Sequence, residues 1–110
     1  KSAQIIRASH EIISKFFTEI TNLGLENKIT LVMDADRQDI YQNKSSESYF
    51  NNMRGFMIEM ATKKNISFID MNVIFSNDYD KYNKKFEFPN DPHWNERGHK
   101  LAAKAILNKL

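Results

Sequence analysis

Apolar residues recur at helical spacing from Ala3 to Leu23, with Ile5, Ser9, Ile12, Phe16, Ile20 and Leu23 on one stripe and Ile6, Ile13 and Phe17 widening it. A period near 3.6 with a broad apolar face predicts an amphipathic helix packed on a core. Gly24 suits the end of that helix. The next apolar run, residues 28–34 (KITLVMD), is too short for an independent helix and is flanked by helical segments. It reads as a buried strand of a parallel sheet. A second helix is expected from Ser48 to Lys64, with Phe50, Met53, Met57, Met60 and Ala61 facing inward and Gly55 as its weak point. Asn65 closes it, and Ile66 to Met71 forms the second strand.

Residues 72–85 are rich in Asn, Asp and Tyr and lack a clear period, so they read as a connection holding a turn or short helix. Phe86 to Phe88 is a brief extended piece before Pro89. The last helix runs from Glu96 to Lys109, capped by Asn95, with Leu101, Ala102, Ala105 and Ile106 inward. The order helix, strand, helix, strand, loop, helix is an α/β layer architecture. Two strands make a thin sheet for so much apolar helix surface, and the chain opens on Lys1 rather than Met. Both features lead us to expect a piece of a larger α/β domain, with an open sheet edge through which copies would self-associate.

Charge adds little to this picture. Sixteen basic residues face fourteen acidic ones in 110 residues, a formal net charge of +2. That balance argues against nucleic acid as a partner, which needs a concentrated basic face. Lys81, Lys84 and Lys85 do lie among Tyr79, Tyr82 and Phe86, but Asp78, Asp80 and Glu87 interrupt them, as on a solvated face. The absence of cysteine excludes disulfides, thiolate catalysis and cysteine-based zinc sites, and leaves the compartment open. No apolar run approaches the roughly 20 residues that span a bilayer.

Chemistry concentrates in the segment from Asn90 to His99. Asp91 and His93 sit two residues apart in a Pro-bounded loop, just ahead of the last helix. A carboxylate accepting from one imidazole nitrogen fixes the tautomer, and leaves the other nitrogen to take a proton from a hydroxyl or a water. The plainer alternative makes Asp91 a turn or cap residue and packs His93 on Trp94, although Asn95 already holds the better capping position. His99 reads as a packing residue of the last helix, and Trp94 as a wedge between that helix and the sheet. A zinc site from Asp91, His93 and His99 would need His99 to fold back across a helical turn, so no metal and no cofactor is expected. Asp34, Asp36 and Arg37 leave the first strand like the paired carboxylates of metal-dependent phosphohydrolases. Arg37-Gln38 stands where Gly-Thr is usual, so they are read as capping the sheet or lining the rim of a cleft, with Arg37 pairing to Asp34 or Asp39. Ser45, Ser46 and Ser48 lack the glycine context of an exposed nucleophile. Ser76 and Asn77 are at most substrate-loop contacts.

Asp91-Pro92-His93-Trp94-Asn95-Glu96-Arg97-Gly98-His99-Lys100-Leu101-Ala102 closely resembles the C-terminal block of SGNH/GDSL-type ester hydrolases. The resemblance is tight over these residues and loose elsewhere. It implies a three-layer α/β/α flavodoxin-like fold of which this chain would be the C-terminal half, with a short parallel sheet. It also implies that Asp91 and His93 complete a Ser-His-Asp triad acting on small esters or O-acetylated carbohydrate. The family's Gly-Asp-Ser block and its oxyanion-hole Gly and Asn blocks have no counterpart here, and Asn90 stands where the commoner Asp-x-x-His spacing has its acid. The shorter Asp-x-His-Trp form is similar to that of some members of the family and of related polysaccharide O-acetyltransferase domains, in which the nucleophile can follow this block. A non-catalytic α/β interaction module is the remaining alternative.

Overall fold

Short polar side chains start the helices by accepting from backbone N–H groups that a first turn leaves unpaired. Ser2 accepts from Ile5, Asp36 from Asp39, Ser48 from Asn51, Asp70 from Asn72 and Asn95 from Gly98. Left-handed residues end four of them: Gly24 (φ 67°), Asn43 (54°), Asn65 (57°) and Asn83 (54°). Glycine takes this conformation freely, and asparagine more readily than most L-residues. A computed structural model describes residues 2–43 and 48–110. Its elements are α1 (Ala3–Asn22), β1 (Thr30–Met33), α2 (Arg37–Tyr41), α3 (Tyr49–Lys63), β2 (Ser67–Asp70), α4 (Met71–Tyr82), β3 (Glu87–Phe88), β4 (Asp91–Trp94) and α5 (Glu96–Lys109).

The chain divides into two units, Lys1–Leu31 with Ser46–Phe68, and Val32–Ser45 with Ile69–Leu110. In the first, Phe17 and Ile20 of α1 pack with Ala61 of α3 and with Ile66, and Ile13, Met57, Met60 and Phe68 close around them. His10 stacks on Phe56 with ring centroids 4.0 Å apart, and its Nε2 lies 2.8 Å from Asn52 Oδ1. The buried line of α1 is rotated from the expected stripe. Ile5, Ile12, Phe16 and Leu23 are exposed, because α3 covers the flank that carries Ile13, Phe17 and Ile20.

In the second unit, Ala35, Ile69, Met71, Phe75, Phe86 and Ala102 form the core. Phe75 and Phe86 stack with centroids 4.1 Å apart, and Trp94 meets Phe75 edge-on at 5.8 Å. The segment expected to be a connection holding a turn or short helix is mostly the 12-residue helix α4. It follows β2 without a loop, and buries Met71 and Phe75 at helical spacing.

The sheet differs most from expectation. Strands β1 and β2 form a parallel pair and nothing more, while β3 and β4 form a separate antiparallel pair with Glu87 opposite Trp94 and Phe88 opposite Asp91. The single continuous sheet of a flavodoxin-like α/β/α sandwich is therefore absent among the described residues. The cause is local. Pro89 and Asn90 reverse the chain within a two-residue turn, so β3 meets its sequence neighbour instead of extending the parallel pair. A parallel partner would need a crossover of a dozen or more residues. Pro92 has no N–H to give a ladder, which suits β4 to an edge position.

Candidate functional site

Asp91 and His93 lie on β4, not in a free loop, and the hairpin brings them together. One carboxylate oxygen of Asp91 accepts from the backbone nitrogen of His93 at 3.0 Å and lies 2.5 Å from its Nδ1. An ionised carboxylate only accepts, so this contact calls for a hydrogen on Nδ1, and in the neutral ring that tautomer leaves Nε2 as the acceptor. The backbone N–H, and then the ring hydrogen bond, hold the Asp91 carboxyl below the usual carboxylate range. The pair is open to solvent, with His93 86 % and Asp91 50 % exposed at the side chain. Exposed ion pairs hold their geometry weakly by themselves. The order at this site therefore has to come from the backbone that carries it.

That backbone is fixed from two sides. Asn95 accepts from Gly98 N with its Oδ1 at 3.0 Å, and its Nδ2 donates to the carbonyls of Lys85 at 3.1 Å and Glu87 at 3.3 Å. One side chain thus caps α5 and ties it to the hairpin. Gly98 belongs to the same joint. A Cβ there would come within 2.9 Å of both the Phe86 carbonyl and Trp94 Cβ. Trp94 also meets the His99 ring edge-on at 5.6 Å, so both residues pack as the sequence suggested.

From the other side comes Arg37, the first residue of α2. Its Nη1 donates to Glu87 Oε1 at 2.9 Å, and its Nη2 to Asp34 Oδ2 at 3.2 Å and to the Pro92 carbonyl at 2.7 Å. Tyr41 donates its hydroxyl to Glu87 and accepts from Phe86 N at 3.0 Å. Burial, with help from the Glu87 carboxylate, pushes the Tyr41 phenol well above its ordinary range. The pairing of Arg37 with Asp34 was readable locally, but its contacts with Glu87 and Pro92 were not.

His93 lines a cavity of about 300 Å³ together with Asp34, Arg37, Pro92, Trp94 and His99. No serine, threonine or cysteine is among these lining residues. Ser76 and Asn77 sit within α4 and do not line it, Ser48 caps α3, and Ser45 and Ser46 lie outside the described residues. Asp36 is spent on capping α2. Among the described residues, no group of three His, Asp or Glu side chains is placed to hold a metal ion. No family model, curated protein or solved structure matches the chain.

Proposed function

We propose that Asp91 and His93 act as orienter and general base in ester hydrolysis, with the attacking hydroxyl supplied by a serine outside the lining of the 300 Å³ cavity. The observation that carries this reading is the 2.5 Å contact from Asp91 to His93 Nδ1, on a ring that is otherwise open to solvent. In the proposed reaction, His93 Nε2 takes the proton of the serine hydroxyl as its oxygen adds to the ester carbonyl. The imidazolium then returns that proton to the departing alkoxide. Asp91 keeps the ring in the tautomer that can do this and stabilises its charged form. Water then releases the acyl group by the same route.

The resemblance of the block from Asp91 to Ala102 to ester hydrolases supports the same reading. Small esters, including O-acetyl groups on carbohydrate, are the proposed substrates. The one-residue gap between acid and imidazole is equally compatible with a second reading, transfer of the acetyl group to a carbohydrate hydroxyl rather than to water. The test is hydrolysis of p-nitrophenyl acetate by the full-length natural polypeptide that contains these residues. Activity abolished in His93→Ala supports the assignment, and unchanged activity refutes it. Acetate released into water, against acetyl groups carried onto an added oligosaccharide, separates the two reactions.

A further inference from the structure

Asp91 and His93 are separated by a single residue, Pro92, and the Pro92 carbonyl is held by a guanidinium. We infer that Arg37 is a positioning residue for the pair: by gripping the Pro92 carbonyl it fixes the turn in which Asp91 reaches His93 Nδ1. The inference rests on the base-and-orienter reading above, although its test does not.

The grip is built from well-placed parts. Arg37 is only 16 % exposed at the side chain and Glu87 only 14 %, so their 2.9 Å ion pair is sheltered while the pair it serves is not. Glu87 is itself fixed by the Tyr41 hydroxyl, which contacts both of its oxygens. Asp34 holds the second nitrogen, Nη2, and that same nitrogen reaches Pro92 O at 2.7 Å. A planar guanidinium with these acceptors has little freedom to swing, and lysine cannot reproduce the fork with one ammonium group. The proline between acid and imidazole has a fixed φ. The remaining freedom of the turn lies largely in the peptide plane whose oxygen Arg37 holds. Released from that contact, the exposed Asp–His pair is kept closed only by its own two hydrogen bonds, from the His93 N–H and from the ring.

The test is the tautomer of the His93 ring, read by long-range ¹H–¹⁵N correlation at a pH where the ring is neutral and with no substrate present. The wild type is expected to carry its hydrogen on Nδ1. In Arg37→Lys, which keeps a cation beside Glu87 and Asp34, the two tautomers are expected to mix. They are expected to mix also in Arg37→Leu combined with Glu87→Gln, which removes the more sheltered of the two carboxylates that lose their partner. A wild-type ring in both folded variants would overturn the inference. So would failure of the double variant to fold, since Arg37 would then be a residue of the fold. In the full-length protein, Arg37→Lys is expected to lower kcat by about 10- to 100-fold with KM less affected. The two proposals fail separately. A shifted tautomer in a protein that cleaves no ester removes the function and leaves the clamp. Hydrolysis that needs His93 but ignores Arg37 does the reverse.

Discussion

One carboxylate oxygen of Asp91 serves both the backbone nitrogen of His93, at 3.0 Å, and its ring nitrogen Nδ1, at 2.5 Å. The two contacts differ in how they are removed. His93→Ala deletes the ring and keeps the N–H, which is the larger cause of the depressed Asp91 carboxyl. In a carboxyl-detected NMR titration, wild-type Asp91 is expected to titrate below the ordinary 3.8, and His93→Ala to raise it without reaching that value. A depressed folded-state value means that this contribution to stability is complete above the unfolded value and is lost as pH falls through the folded one. Wild-type Asp91 titrating at the ordinary value would contradict the geometry.

Two helical glycines are expected to respond to alanine in opposite ways. Gly55 in α3 has open space where a Cβ would stand, so Gly55→Ala should stabilise by about 0.5–1 kcal/mol through helix propensity. Gly98 in α5 has the Phe86 carbonyl and Trp94 Cβ at 2.9 Å from that point. Overpacking there should outweigh propensity and destabilise by about 1–3 kcal/mol. Urea unfolding of both variants reads the sign directly. Stabilisation by Gly98→Ala would mean that α5 and the hairpin are not joined as described.

Asn95 separates its two jobs in a comparison of Asp with Ala. Asn95→Ala loses the α5 cap, a cost of about 1 kcal/mol, and also the two hydrogen bonds to the Lys85 and Glu87 carbonyls. Asn95→Asp keeps the cap, and a negative charge suits a helix N-terminus. It nevertheless places carboxylate oxygen against those carbonyls, so a net loss of stability is expected in thermal melts. A gain in Asn95→Asp would show that the hairpin contacts contribute nothing.

Tyr41 sets an alkaline limit. Its phenol is raised in the folded state, so its contribution is complete below the unfolded value, near 10.0, and is lost as pH rises through the folded value. The melting temperature is expected to fall as pH passes 10.0, and Tyr41→Phe to fall less steeply from a lower starting point. Equal slopes would refute the assignment of Tyr41 as the acid that titrates there.

How much of this was legible depended on the range of the forces involved. Helices α1, α3 and α5 announce themselves through apolar spacing and through Gly24, Ser48, Asn65 and Asn95, all of which act within a turn or two. The Asp91–His93 pairing was legible for the same reason. Helix α4 was hidden because Met71 completes the apolar run of β2 while also opening the helix, and Asp70 serves as both strand end and cap. The hairpin is too short to display alternation, so Phe86 to Phe88 read only as a brief extended piece with no partner. The grip of Arg37 had no local signal, since its partners Glu87 and Pro92 lie 50 and 55 positions away.

Chemical rescue tests the role of the site most directly. Hydrolysis of p-nitrophenyl acetate by the full-length His93→Ala protein, measured with and without added imidazole, asks whether a missing base is what the substitution removed. Lost activity that imidazole restores is expected, because a free imidazole can occupy the space left beside Asp91 and take the same proton. Full activity in His93→Ala without imidazole would contradict the assignment of His93 as the base.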